Sequence, residues 1–307
     1  MSGLDLKITP LTPKIPAKYQ HMAPEIISDR VEFVLPNTSG AIANAIRRTI
    51  TCELPVKGFY CNYEDIDTND PFIIPEMIQK RIMMIPVRQS THSGSWNIDV
   101  TNLTTSPMFV TAGMINPKPP CDSKITILVL GVGKYFKCKI GVNELYGYQT
   151  GNGMRALAVN AASVPIDVTP LNTFDNTGVP VSVSNPRVWK ISFVTNGTIT
   201  PKDLIIKAIE SIIERIIGVT SGLAHVRKRE SEYEFDIENE SDTIGNIMMR
   251  TILDIYPDIP AVVYKVSVVD RVLTMRFRLT QPNLPEIIKT AIAKAIADLE
   301  VIKTMLL

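Results

Sequence analysis

Histidine is scarce in this chain and cysteine is scattered. Three histidines (His21, His92, His225) and four cysteines (Cys52, Cys61, Cys121, Cys138) are spread over 307 residues without a CxxC pair or any ligand spacing. That argues against a zinc ribbon, a disulfide framework and a histidine-based catalytic site, and it fits a reducing compartment. No metal and no cofactor are expected. Excess charge is also missing: the net charge is +1, so the chain has no broad basic footprint and is expected to make little direct nucleic-acid contact. No charged-then-apolar leader opens it, and no run approaches the roughly 18 apolar residues of a membrane span. The expectation is a soluble, intracellular protein with no membrane partner.

Nucleotide motifs fail on inspection. Leu130-Gly131-Val132-Gly133-Lys134-Tyr135 hints at a phosphate loop, but Leu128 stands where the first glycine is needed and Tyr135 where Ser or Thr is needed. Phe136 occupies the last position of a would-be GxGxxG. A β-turn is the simpler reading. Asp65, Asp67 and Asp70 lack the Glu and Gly of a calcium loop, so a solvated turn is expected there.

What is present is a globular composition, 45% apolar and 21% charged, long enough for two or three domains. The chain is organised around residues 39–55. Ile42, Ala45, Ile46, Thr49 and Ile50 recur at helical spacing, with a capping choice at Asn37, Thr38 or Ser39 and a stop at Pro55. Arg47 and Arg48 lie off the apolar face. Val31, Phe33 and Leu35 alternate before it, as in a half-buried strand. The same unit recurs 202 residues later without a gap. Ten of 25 positions agree between 31–55 and 233–257, including Asn37/Asn239, Ser39/Ser241, Asn44/Asn246, Arg48/Arg250 and Pro55/Pro257. Chance would give roughly one or two. Shared amphipathicity would explain matched isoleucines but not matched Asn, Arg and Pro in one register. Two copies are too few for a solenoid and suit a pseudo-twofold pair.

The spacing predicts this order. An arm or short edge strand over 1–28 carries Pro10, Pro13, Pro16 and Pro24. A first unit takes 29–88 and 186–217, with a helix over 40–53, a strand marked by Phe59, Cys61 and Tyr63, a short Pro75-led helix ended by Pro86, and a Pro201-led helix with an isoleucine stripe. Residues 89–185 lose helical periodicity and read as a β-rich insert, with strands near 125–130 and 135–140. A polar, flexible linker over 218–230, including Arg227-Lys228-Arg229, reads as a solvated tether rather than a nucleic-acid patch. A second unit over 231–307 repeats strand, helix, strands and a Pro285-led long helix. The expected fold is α+β: two units paired intramolecularly about a pseudo-twofold axis, with the β-rich insert in the first. Neither half can cover its own apolar stripes. Ile42, Ile46 and Ile50 are therefore expected to pack near Ile244, Met248 and Ile252, with Ile209, Ile213, Ile292 and Ile296 alongside.

Asn44-Ala45-Ile46-Arg47-Arg48 with Glu53-Leu54-Pro55 resembles the first helix of the α-like subunits of cellular RNA polymerases: the bacterial α, archaeal D-type and eukaryotic third-largest-type chains. Residues 76–87, Glu-Met-Ile-Gln-Lys-Arg-Ile-Met-Met-Ile-Pro-Val, resemble the family's Glu-Phe-Ile-Ala-His-Arg-Leu-Gly-Leu-Ile-Pro-Leu signature. Asp242-Thr243-Ile244-Gly245-Asn246-Ile247 and Tyr264-Lys265-Val266 are similar to the smaller partner, the archaeal L-type chain and its eukaryotic counterpart. Those partners are separate chains in cells. One chain carrying both is similar to the fused subunit of large cytoplasmic DNA viruses of the African swine fever virus type. Gln79-Lys80 and Met83 depart from the first signature, and the cysteine cluster of some members is absent.

The resemblance implies a non-catalytic assembly platform for transcription. It would dock the second-largest and largest polymerase subunits and a small zinc-binding subunit, with nucleotidyl transfer left to those partners. It implies Arg47, Arg48, Glu53, Glu76, Arg81 and Arg250 as partner-binding residues. It also implies host cytoplasm and virion as the location if the chain is viral, and the nucleus otherwise. The alternatives are a virion structural or interaction protein on the same fold, and a stand-alone enzyme without the usual motifs. Docking by Arg47 and Arg48 competes with a plain solvated arginine pair.

Overall fold

The computed structural model describes residues 4–92, 94–146, 156–167, 186–267, 269–279 and 283–307. The parts of the expected insert at 147–155 and 168–185 lie outside the described residues. The fold is α+β and is built twice. In the first half, β1 (Lys7–Pro10), β2 (Asp29–Leu35), β9 (Ala158–Pro165) and β10 (Trp189–Thr195) form an antiparallel sheet in the order β1-β2-β10-β9. In the second, β11 (Arg227–Arg229), β12 (Glu232–Glu238), β13 (Ala261–Ser267) and β14 (Val272–Arg278) form a sheet in the order β11-β12-β14-β13. The two orders superpose position for position.

The alternation that predicted the strands also sets which face is buried. Val31, Phe33 and Leu35 face inward opposite Phe193, Ile191 and Trp189; Tyr233, Phe235 and Ile237 do so opposite Phe277, Met275 and Leu273. Shared residues of the repeat acquire shared roles. Asn37 and Asn239 both take positive φ, 51° and 59°, a conformation in which Asn is several-fold enriched. Ser39 and Ser241 both cap a helix, accepting from the backbone N–H of Ile42 and Thr243.

Each sheet carries two helices: α1 (Gly40–Arg48) and α3 (Pro201–Gly218) in the first half, α4 (Asp242–Ile255) and α5 (Leu284–Leu306) in the second. α1 packs on α4 and α3 on α5. One continuous core results, running from Val31, Ile46 and Ile209 to Phe235, Met248 and Ala291. The N-terminal segment is fastened across it: Leu4 donates its backbone N–H to the carbonyl of Met305 at 2.7 Å.

Three expectations need correction. First, the predicted helix over 40–53 changes winding at Thr49, and Thr49–Glu53 forms a π turn. The Thr51 hydroxyl donates to the carbonyls of Arg47 and Arg48 at 3.1 and 2.9 Å, and such back-bonding competes with the helical ladder. The equivalent residue in α4 is Leu253, and α4 stays regular.

Second, the insert begins much earlier than residue 89. β3 (Pro55–Tyr60) and β4 (Ile66–Thr68) pair with the long β8 (Tyr135–Tyr146), as does β5 (Ser95–Thr101). β6 (Met108–Thr111) pairs with β7 (Thr126–Leu130). Phe59, Cys61, Ile78 and Ile82 share a separate core with Trp96, Ile127 and Phe136. So the Pro75-led helix, α2 (Pro75–Met83), belongs to the insert, while β9 belongs to the first half's sheet. The strand at Phe59 is therefore not the counterpart of β13.

Third, residues 218–230 are no free tether. Val219–His225 winds as a 3-10 helix and Arg227–Arg229 is β11. A Cβ on Gly222 would stand 2.7 Å from the Asp236 carbonyl oxygen and from the Phe235 ring. The basic run is an edge strand, with Arg227 paired to Glu234 and Asp236.

Candidate partner-docking face

α1 and α4 present their outer residues on one side of the paired halves. Repeat-equivalent Asn44 and Asn246 line a single groove of about 680 Å³, together with Ser39, Trp189, Arg250 and Asp254. Arg47 is half-buried and pinned: its Nε and Nη2 donate to Asn44 Oδ1 at 3.0 and 2.8 Å. Arg48, with a third of its side chain exposed, leans on Glu53 at 3.4 Å. Arg250 is exposed, with no hydrogen bond or ion pair to the described residues. Tyr264 registers both arginines. Its hydroxyl is pushed up by burial and then by Asp242, while Arg48 and Arg250 pull it down. The charges of the two repeat-equivalent arginines are thus both felt at one tyrosine, and their planar guanidinium groups suit carboxylates or backbone carbonyls of a partner.

A second surface lies on the insert. Glu76 is exposed in the first turn of α2, where the helix dipole favours a carboxylate. Around it Phe72 is 91% exposed, and Ile74, Met77 and Met84 are about half exposed. Arg81, expected to meet a partner, is exposed on α2, and its Nη1 donates to the Ile127 carbonyl at 2.9 Å.

Glu53, also expected to bind a partner, has its carboxylate engaged inside the chain. It accepts from Arg215 Nη1 at 2.6 Å, from Thr243 Oγ1 at 2.6 Å and from Ser241 Oγ at 3.2 Å. Arg215, near the end of α3, also grips both oxygens of Glu240 at 2.8–3.2 Å. Burial opposes ionisation of Glu53, but Arg215, Thr243 and Arg48 outweigh it and hold the carboxyl below the usual range. Burial likewise opposes the charge on Arg215, and Glu240 and Glu53 overcome it. This cluster joins the halves. It was not expected from the sequence, although two signals existed: an arginine among Ile212, Ile213, Ile216 and Ile217, and a break of the repeat where Glu53 falls on Ile255.

Ile42, Ile46, Ile50, Ile209, Ile244, Met248, Ile252 and Ile292 are buried in the shared core; Ile213 and Ile296 are partly buried against it. The acidic group is no open cation site. Asp70 is buried and accepts from the backbone N–H of Phe72 and Gly131, and Asp67 accepts from the Tyr135 hydroxyl. Gly131–Lys134 forms a turn with Gly133 at φ 71°. Among the described residues no group of three or more His, Cys, Asp or Glu side chains could hold a metal, and no helix is long and apolar enough to cross a membrane.

Known proteins match the chain in part. Subunit Rpo3 of the DNA-directed RNA polymerase of Archaeoglobus fulgidus is 34% identical over 59 residues, which cover 19% of this chain and 22% of that protein. Part of this chain is similar to α-type RNA polymerase subunits. The α subunit of the DNA-directed RNA polymerase of Anthoceros angustus is 26% identical over 136 residues, covering 42% of this chain and 37% of that protein. The chain thus spans well under half the length of these α-type relatives. No protein-family model matches it.

Proposed function

We propose that this chain is the α-type assembly subunit of a DNA-directed RNA polymerase, with two dimerisation units joined in one polypeptide. The observation that carries the reading is the shared core: two copies of one strand–helix–strand–helix unit bury their helices against each other, and stretches of the chain are similar to polymerase α-type subunits. The platform docks the largest and second-largest subunits and a small zinc-binding subunit, and phosphoryl transfer takes place in the large partners. The face around Arg47, Arg48, Arg250 and Tyr264 receives one large subunit. The exposed Glu76, Met77 and Met84 of the insert give a second contact, in which apolar surface well above that of scattered single residues is covered. If the chain is viral, the assembly works in host cytoplasm and is carried in the virion.

The test is purification of the tagged chain from its native source. Two large subunits in equal amount with the chain, and templated RNA synthesis by the assembly, are expected. Recovery of the chain with coat components alone, or alone with turnover of its own, would sink the proposal.

A further inference from the structure

We propose that the Glu53–Arg215–Glu240 cluster is a selector: it makes the two unlike halves of the chain pair with each other and rejects pairing of like halves. The proposal concerns the junction between halves and stands independently of the polymerase reading.

The argument starts from the repeat. A shift of 202 places Glu53 on Ile255, Thr38 on Glu240, Ser39 on Ser241 and Ala41 on Thr243. A shift of 83 places α3 on α5: Pro201, Ile205, Ala208, Ile209, Ile212 and Ile216 fall on Leu284, Ile288, Ala291, Ile292, Ala295 and Leu299, all buried. Arg215 then falls on Asp298. These counterparts do meet in space. Thr38, Ser39, Ile255 and Asp298 line one cavity of about 510 Å³ between the halves. The pseudo-twofold axis therefore relates two junctions, one filled by a part-buried charged cluster and one an open cavity lined by the half-exposed Arg187–Asp254 pair.

Like-with-like pairing would mix these sets wrongly. Two first halves would bring Glu53 and Arg215 of one copy against Thr38, Ser39 and Ala41 of the other. Arg215 would lose the two-oxygen grip of Glu240, and Glu53 would lose the Thr243 hydroxyl. Two second halves would set Asp298 and Ile255 against Glu240. That sets Glu240, without Arg215, against Asp298, whose partner is Lys294 on its own helix. Only the unlike pair gives Glu240 its arginine. A buried charge stripped of its partner, or facing its own sign, is penalised far more than the intact pair is favourable. Ionic groups at such positions set pairing rather than strength.

Gly218 offers a place to cut, because a Cβ there would meet nothing within 4 Å. A protease recognition sequence inserted after it divides the folded chain into 1–218 and 219–307. Cut protein with an N-terminal affinity tag is unfolded in denaturant together with untagged cut protein, and the mixture is refolded and captured on the tag. The tagged first half should bring down the second half one-to-one and no untagged first half. Capture of untagged first half would overturn the proposal. A reversed cluster, Glu53→Arg with Arg215→Glu and Glu240→Arg, should pair with itself about tenfold or more over wild-type halves when the two are refolded together. Indifferent mixing would overturn it too. If the reversed chain does not refold, the neutral set Glu53→Gln, Arg215→Met and Glu240→Gln takes its place. It should let untagged first half onto the resin, and continued strict unlike pairing would refute the selector.

Discussion

Two glutamates separated by little in the sequence show how far a side chain's surroundings decide its role. Glu76 is exposed on a helix start, whereas Glu53 ends a π turn among Arg215, Thr243 and Ser241. Because the folded pKa of Glu53 lies below its unfolded value, its contribution to stability is complete above the ordinary carboxylate value of about 4.3 and is lost as pH falls through the folded value. Glu53→Gln should cost about 3 kcal/mol near neutrality, as expected for breaking a buried pair. It should also flatten the acid limb of a plot of Tm against pH. An acid limb as steep as that of wild type would contradict the assignment. Arg250 offers the opposite case. It is exposed and unpaired among the described residues, so Arg250→Glu should change stability by no more than about 0.5 kcal/mol. If the docking face is right, the same change should abolish recovery of a large subunit in a pull-down. Unchanged melting with unchanged recovery would remove Arg250 from that face.

Among the elements, the segment after α3 is the one whose character the sequence hid. Gly218, Ser221 and Gly222 suggest flexibility, yet Gly222 is a contact residue because the chain passes directly over β12. Gly222→Ala should destabilise the second half by about 1–3 kcal/mol, the usual cost of overpacking. Thermal denaturation of the full chain measures it, and a neutral result would mean that the segment can lift away. The π turn was equally hidden. Ungapped alignment of the two repeats cannot show that Thr51 back-bonds where Leu253 cannot. β9 escaped notice because Ala158, Ala161 and Ala162 give no alternating large apolar face; its place in the sheet is fixed by pairing with β10.

For the molecule as a whole, two cores imply two cooperative units. The insert leaves and rejoins the first half along one ladder, with Pro55 opposite Tyr146 and Gly58 opposite Asn143. Replacing 59–142 by Asn-Gly closes that ladder as a two-residue hairpin. The shortened chain should keep the halves paired and lose one of two calorimetric transitions. Collapse of the remaining halves would show that the insert core supports them.

What the sequence determined by itself is whatever repeats or alternates. The strands β2 and β12, the helical stripes and the duplicated unit follow from local periodicity, and Asn37, Asn239, Ser39 and Ser241 follow from backbone needs that each residue meets alone. Tertiary structure decided what depends on a distant neighbour: where the insert begins, that residues 219–229 fold as a 3-10 turn and an edge strand, and that Glu53 faces Arg215 and Thr243. The reason is physical. Periodicity records which face of an element is apolar, but a buried charge is placed by groups far away in the chain, 162 residues away for Arg215 and 190 for Thr243. The fold of the first half brings Arg215 to Glu53, and only the pairing of the two halves adds Thr243.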